Sequence, residues 1–139
     1  MISNYKELDV WKKSMEVAVK VYKLVKFLPS EEKFCLSDKI RRAVISIPSN
    51  IAEGNQRYSS REYKHFLTIS KGPLAELETQ LLLCEGLGYL QHQDIIPILS
   101  LCTEIGKMLT VMIRNLEQKN KVWPIKAIKN RKQMTFERR

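Results

Sequence analysis

The chain has 139 residues, 24 Lys plus Arg against 15 Asp plus Glu, and a formal net charge of +9. A hydrophobic content of 44% excludes global disorder. The length fits one domain, because two would each be too small to bury a good core.

No uninterrupted apolar run approaches the ~20 residues of a spanning helix. The N-terminal run Met1-Ile2-Ser3-Asn4-Tyr5-Lys6-Glu7 lacks an apolar signal region. Cys35, Cys84 and Cys102 are odd in number and widely spaced, which argues against a disulfide scaffold. We therefore expect a cytoplasmic protein with no membrane partner, its cysteines acting as small apolar packing residues.

In the first segment Leu8, Trp11, Met15, Ala18, Tyr22 and Val25 step at helical spacing. A second row, Val10, Val17, Val21, Leu24 and Leu28, runs beside it, as in a bundle helix touching two neighbours. Pro29 ends this segment. The second starts near Ser37, a candidate N-cap, and carries Ile40, Val44, Ile47 and Ile51 on one face. Pro48 inside it predicts a kink or break, and Gly54-Asn55 a C-terminal stop.

The third segment opens with Ser59 and Glu62, the spacing of a capping box. Its inner row is Tyr63, Phe66, Ser70, Leu74, Leu77, Leu81 and Cys84, with a bend expected at Gly72-Pro73 and an end at Gly86 and Gly88. The fourth begins near Asp94 and keeps a heptad row through Ile95, Ile98, Cys102, Ile105, Leu109, Met112 and Leu116. Trp123-Pro124 is expected to close it. No strand pattern competes. The sequence predicts an all-α, antiparallel, up-down-up-down four-helix bundle over residues 1–118, followed by a tail over 119–139.

Signatures of catalysis are sparse. His65 and His92 are the only histidines, so a His-rich metal cage is impossible. Glu62 and His65 form one Glu-x-x-His spacing, and a di-iron bundle needs two. No phosphate loop, dinucleotide fingerprint or nucleophile elbow occurs. We expect no enzyme, cofactor or metal.

The run from Arg41 to Gly54 is unusual. Arg42, Ser46, Ser49 and Glu53 line a polar strip beside the core row, and Asn50 lies near the core stripe. Such a strip is either a hydrogen-bond network that fixes helix register or a ligand site. Glu76 and Glu78 are candidate partners for Arg41 or Arg42.

This stretch, from Ser46 to Gly54, resembles the signature of the bacterial four helix bundle proteins, first noticed as products of intervening sequences in large-subunit ribosomal RNA genes. The likeness extends through Leu8 with Val10-Trp11, Leu28-Pro29 with Glu32, Phe34 with Leu36, and Ile40-Arg41-Arg42-Ala43. It continues in Phe66-Leu67, Leu74 with Glu76-Leu77-Glu78, and Gly88-Tyr89-Leu90, covering about residues 5 to 116. Pro73 departs from the family pattern, and so does the tail from Lys119. The resemblance implies a left-handed antiparallel bundle that assembles into a ring, typically a homopentamer, without enzymatic activity. A related branch serves as accessory protein of diversity-generating retroelements, where it binds the reverse transcriptase and its template RNA.

The charge is unevenly placed. Residues 119–139 hold Lys119, Lys121, Lys126, Lys129, Arg131, Lys132, Arg138 and Arg139 against Glu137, a net of +7. The rest keeps 16 basic and 14 acidic residues, a net of +2. Trp123 and Phe136 in the tail can stack on unpaired bases while the cations neutralise phosphates. A tail that is solvated or docked on a partner fits the same residues. With Arg41 and Arg42, the eight tail cations and Trp123 are the candidate nucleic-acid contacts. Ser46, Asn50, Glu53 and Glu76 are the candidate structural polar motif. The expected role is a ring-forming, non-catalytic bundle binding RNA or an RNA–protein complex, such as a reverse transcriptase with its template. The rivals are a protein scaffold gripping an acidic partner and a small-molecule pocket built on Arg42, Asn50 and Glu53.

Overall fold

The computed structural model describes residues 4–129, with side chains described through residue 119. Four helices build it: α1 (Asp9–Val25), α2 (Leu36–Asn55), α3 (Ser60–Gly86) and α4 (His92–Lys129). Single 3-10 turns occur at Tyr5–Glu7 and Ser30–Glu32, and no strand occurs among the described residues. The fold is all-α.

Each helix packs on its neighbours in sequence, and α1 closes against α4. Pairings that run opposite ways along adjacent helices fix their directions. Gly54 meets Tyr63 and Phe66, whereas Ser70 meets Ile47 further back along α2. Lys64 pairs with Glu117 and Lys71 with Thr110, across α3 and α4.

One core lies between the four helices. Ile40, Val44, Ile47 and Ile51 of α2 are buried, as are Leu67, Leu74, Leu77, Leu81 and Cys84 of α3. From α4 come Ile95, Ile98, Cys102, Ile105 and Leu109. On α1 both rows reach the core, and the deepest places fall mostly to the second. Val10, Val17, Val21 and Val25 are buried, whereas Met15 and Tyr22 are 39% and 38% exposed. The narrow valines let α1 lie close, and Ser14 joins them by donating its hydroxyl to the Val10 carbonyl at 2.7 Å.

Pro48 and Pro73 lie inside α2 and α3 without ending either helix. A helix-interior proline costs about 3 kcal/mol. Burying Val44, Ile47 and Ile51 around Pro48 returns about 1.5–3 kcal/mol per side chain, so packing outweighs the lost bond. The stop expected at Trp123-Pro124 also does not occur, and α4 continues to Lys129. Proline keeps a helical φ and removes only one hydrogen bond, so a helix can pass through it. The stretch His92–Lys119 is long and apolar enough to cross a membrane by composition, with a mean hydropathy of 1.6 over its window. Its inward row is spent on the core described above.

The helix ends follow local chemistry. Ser59 caps α3: its Oγ accepts from the Glu62 amide at 3.1 Å, as the capping box predicts. Ser37 does not cap α2. The helix begins one residue earlier, at Leu36, whose amide donates to Glu32 Oε1 at 3.3 Å. The other oxygen of Glu32 accepts from the Tyr89 hydroxyl at 2.9 Å. Glu32 thus ties the α1–α2 connection to the α3–α4 connection at one end of the bundle. Its charge raises the pKa of Tyr89, first through that hydrogen bond.

Candidate functional site

The polar strip of α2 is a ladder of contacts one turn apart along the chain, ending on Arg57 just past the helix, not a network between helices. Arg42 Nε donates to Asp38 Oδ2 at 2.8 Å. Asn50 Nδ2 donates to the Ser46 carbonyl at 2.8 Å and to Ser46 Oγ at 3.0 Å. Arg57 Nη2 donates to Glu53 Oε2 at 2.7 Å. Every partner lies one turn away, so the strip fixes side chains on α2 and contributes nothing to the register between helices. Arg42, Ser49 and Glu53 are exposed, whereas Ser46 and Asn50 are half-buried. Asp38 raises the Arg42 pKa through its hydrogen bond and its charge, so the guanidinium is firmly protonated.

Arg41 lies over the Tyr22 ring, with its guanidinium carbon 5.9 Å from the centroid. Among the described residues neither arginine pairs with Glu76 or Glu78. Between α2 and α3, Lys39, Arg42, Ala43, Ser46, Pro73, Glu76 and Gln80 line a cleft of about 240 Å³. It unites Arg42, Ser46 and Glu76 but not Asn50 or Glu53, so the pocket imagined on Arg42, Asn50 and Glu53 does not converge. Gln80 Oε1 is buried without a hydrogen-bond partner. That unmet acceptor was invisible in the sequence, since Gln80 belongs to no motif.

The cross-helix chemistry at this seam belongs to smaller residues. Ser70 is fully buried, and its Oγ lies 3.4 Å from the Ile47 carbonyl and 3.3 Å from that of Phe66. A Cβ on Gly54 would stand 2.7 Å from Phe66 Cβ and 3.2 Å from Tyr63 Cδ1. Gly54 is therefore required by close helix approach as well as lying next to the end of α2.

A second, larger groove lies between α3 and α4. Its volume is about 660 Å³, and Lys71, Lys107 and Arg114 bring positive charge to it. Leu74, Ala75, Gly106 and Val111 supply small or apolar surface, and Glu78 is the acid in the lining. Lys71 Nζ donates to Thr110 Oγ1 at 3.0 Å. Sequence reasoning missed this groove. Its signal was the seven-residue step from Lys107 to Arg114, which places both on one face of α4.

Two cysteines behave as expected and one does not. Cys84 and Cys102 are buried, whereas Cys35 is exposed at the start of α2. Burial is the main force pushing the Cys84 thiol up to about 11 and that of Cys102 up to about 12, so both are unreactive at neutral pH. His65 is exposed and stands edge-on to Phe66, while Glu62 serves the α3 cap. Among the described residues no cluster of His, Cys, Asp or Glu has the makings of a metal site.

Of the tail candidates, Lys119 is exposed. The backbone of Lys121, Trp123, Lys126 and Lys129 is part of α4. Their side chains, and all of Arg131, Lys132, Arg138 and Arg139, lie outside the described residues.

Residues 6–111 match the family model described as 23S rRNA-intervening sequence protein. The chain belongs to this family. A solved structure described as a protein of unknown function from the S23 ribosomal protein family of Bacteroides thetaiotaomicron is similar to the chain. The two share 35% identity at a TM-score of 0.69, over 75% of this chain and 97% of that one. A comparison with curated proteins finds no significant match. The matched residues of this chain span the α2 ladder, the Glu32–Tyr89 link, and Lys71 and Lys107 of the groove. Arg114 and the basic segment beyond it fall outside the matched residues.

Proposed function

We propose that this 23S rRNA-intervening sequence protein is a non-catalytic, cytoplasmic bundle that self-assembles and binds RNA or an RNA–protein complex. The observation that carries the reading is the charge partition: +7 over residues 119–139 against +2 for everything before them. A cationic arm gains affinity for nucleic acid by releasing counterions from phosphates, whatever the base sequence. Assembly is supported by apolar surface left on the bundle. Met15, Val19 and Tyr22 form an outward stripe on α1, and Leu82 and Leu83 of α3 are about half exposed. A homopentamer would repeat the arm five times and convert weak contacts into avidity. The most specific form of the proposal is an accessory subunit holding a reverse transcriptase on its template.

The test keeps the chain whole and replaces the eight basic residues of 119–139 with Gln. Binding to a mixed-sequence oligoribonucleotide is then followed across a salt series, with intact-assembly mass as a second readout. The proposal expects weaker binding, a flatter salt dependence and an unchanged assembly mass. Equal affinity and slope in the variant overturn the role of the arm. Failure of the parent protein to bind RNA, with retained binding to an acidic polypeptide, favours the protein scaffold instead.

A further inference from the structure

We infer that the α3–α4 groove is a seat for the phosphodiester backbone of RNA, with Lys71, Lys107 and Arg114 as its phosphate contacts. The inference rests on the RNA reading above and places part of the binding on the bundle itself. Three observations carry it.

The first is that the groove's cations are free to engage a ligand. Lys71, Lys107 and Arg114 are all exposed, and none forms an ion pair among the described residues. The acids flanking them on α4 are already engaged. Glu117 pairs with Lys64 at 3.1 Å and Glu104 with Lys13 at 3.5 Å. Among the described residues Glu78 is the one acid left in the lining, against three cations.

The second is shape. Ala75 and Gly106 keep the floor low, and the nearest atom to a Cβ on Gly106 would be Leu74 Cδ2 at 3.6 Å. Lys107 and Arg114 stand two turns apart, about 10 Å along the helix, so they can grip separate phosphates of one strand. Lys71 reaches over from α3 and is held by Thr110. Among the described residues no aromatic side chain lines the groove, so the contacts it offers are to the sugar–phosphate chain.

The third is continuity. Because α4 runs unbroken to Lys129, position 121 falls on the same helical row as 107 and 114. The groove thus leads along the backbone of α4 toward position 121.

The test compares the full-length protein with the triple variant Lys71→Gln, Lys107→Gln, Arg114→Gln. A control variant, Lys13→Gln with Lys64→Gln, removes two cations that are already paired. Binding of a mixed-sequence single-stranded oligoribonucleotide is titrated across a salt series, with circular dichroism and assembly mass checking the fold. Losing three phosphate contacts should flatten the log–log salt slope by about 2 and weaken binding at least tenfold at low salt, whereas the control should change neither much. A folded triple variant with the parent's affinity and slope overturns the groove while leaving the RNA reading intact. No RNA binding by the parent protein overturns the RNA reading and the groove together. Equal loss of binding to poly-glutamate and to RNA assigns the groove to acidic polymers in general and overturns its assignment to phosphodiesters.

Discussion

Replacing Gly54 with Ala sets two opposing effects against each other in one methyl group. Alanine is the better helix former by up to about 1 kcal/mol in a helix interior, and by less here, one residue from the end of α2. Against this, the new Cβ would stand 2.7 Å from Phe66 Cβ, 3.2 Å from Tyr63 Cδ1 and 3.3 Å from the Tyr63 carbonyl oxygen. The closest neighbour, Phe66 Cβ, and the Tyr63 carbonyl oxygen are fixed by the α3 backbone, so no rotamer change relieves them. Restoring ordinary carbon–carbon spacing needs α2 and α3 to part by roughly 0.7–1 Å. Overpacking of this kind costs about 1–3 kcal/mol. The steric term wins, and Gly54→Ala should destabilise the bundle by about 1–2 kcal/mol, lowering Tm by several degrees. Urea unfolding followed by circular dichroism at a fixed protein concentration measures it. Gly106→Ala is the companion control. Its Cβ meets Leu74 Cδ2 at 3.6 Å, an ordinary contact, so the helix-propensity gain should stand and stability should rise slightly. Because the clash is with a Cβ, adding Phe66→Ala to Gly54→Ala should not rescue it. A Gly54→Ala protein as stable as the parent would refute the account of α2–α3 approach.

Two further outcomes follow from the same geometry. Cys84 and Cys102 have folded-state pKa values raised to about 11 and about 12 from an ordinary 9.0. Below pH 9 both folded and unfolded chains keep these protons, whereas above it only the unfolded chain releases them. Stability should therefore fall as pH rises from about 9 toward 12, and the double variant Cys84→Ala, Cys102→Ala should flatten that fall in urea midpoints despite its lower starting stability. Ser59→Ala removes the α3 cap and should cost about 1 kcal/mol, with fraying at the start of α3 seen by amide exchange; protection there equal to the parent's would contradict the cap.

Much of this molecule was readable from spacing alone. The inner rows of α2, α3 and α4 follow the 3.6-residue period, because a helix that buries one face must repeat its apolar residues at that interval. The Ser59–Glu62 cap is equally local, since every atom in it lies within one turn. The partition of charge between bundle and C-terminal segment is a property of the sequence and needed no coordinates.

What the sequence left undecided is whatever depends on a neighbour. On α1 two apolar rows ran side by side, and only the approach of the other helices buried Val10, Val17, Val21 and Val25 while leaving Met15 and Tyr22 more than a third exposed. A break was one of two outcomes open at Pro48 because local rules count the lost hydrogen bond, while burial around it enters only once the helices have met. The polar strip on α2 had the right spacing for a buried network, yet its partners proved to be one turn away along the same stretch of chain. The α3–α4 groove draws Lys71 together with Lys107 and Arg114 across some forty residues of chain, and no local pattern encodes such a meeting. Periodicity fixes which face of a helix is apolar; the packing of four such faces decides which residues touch.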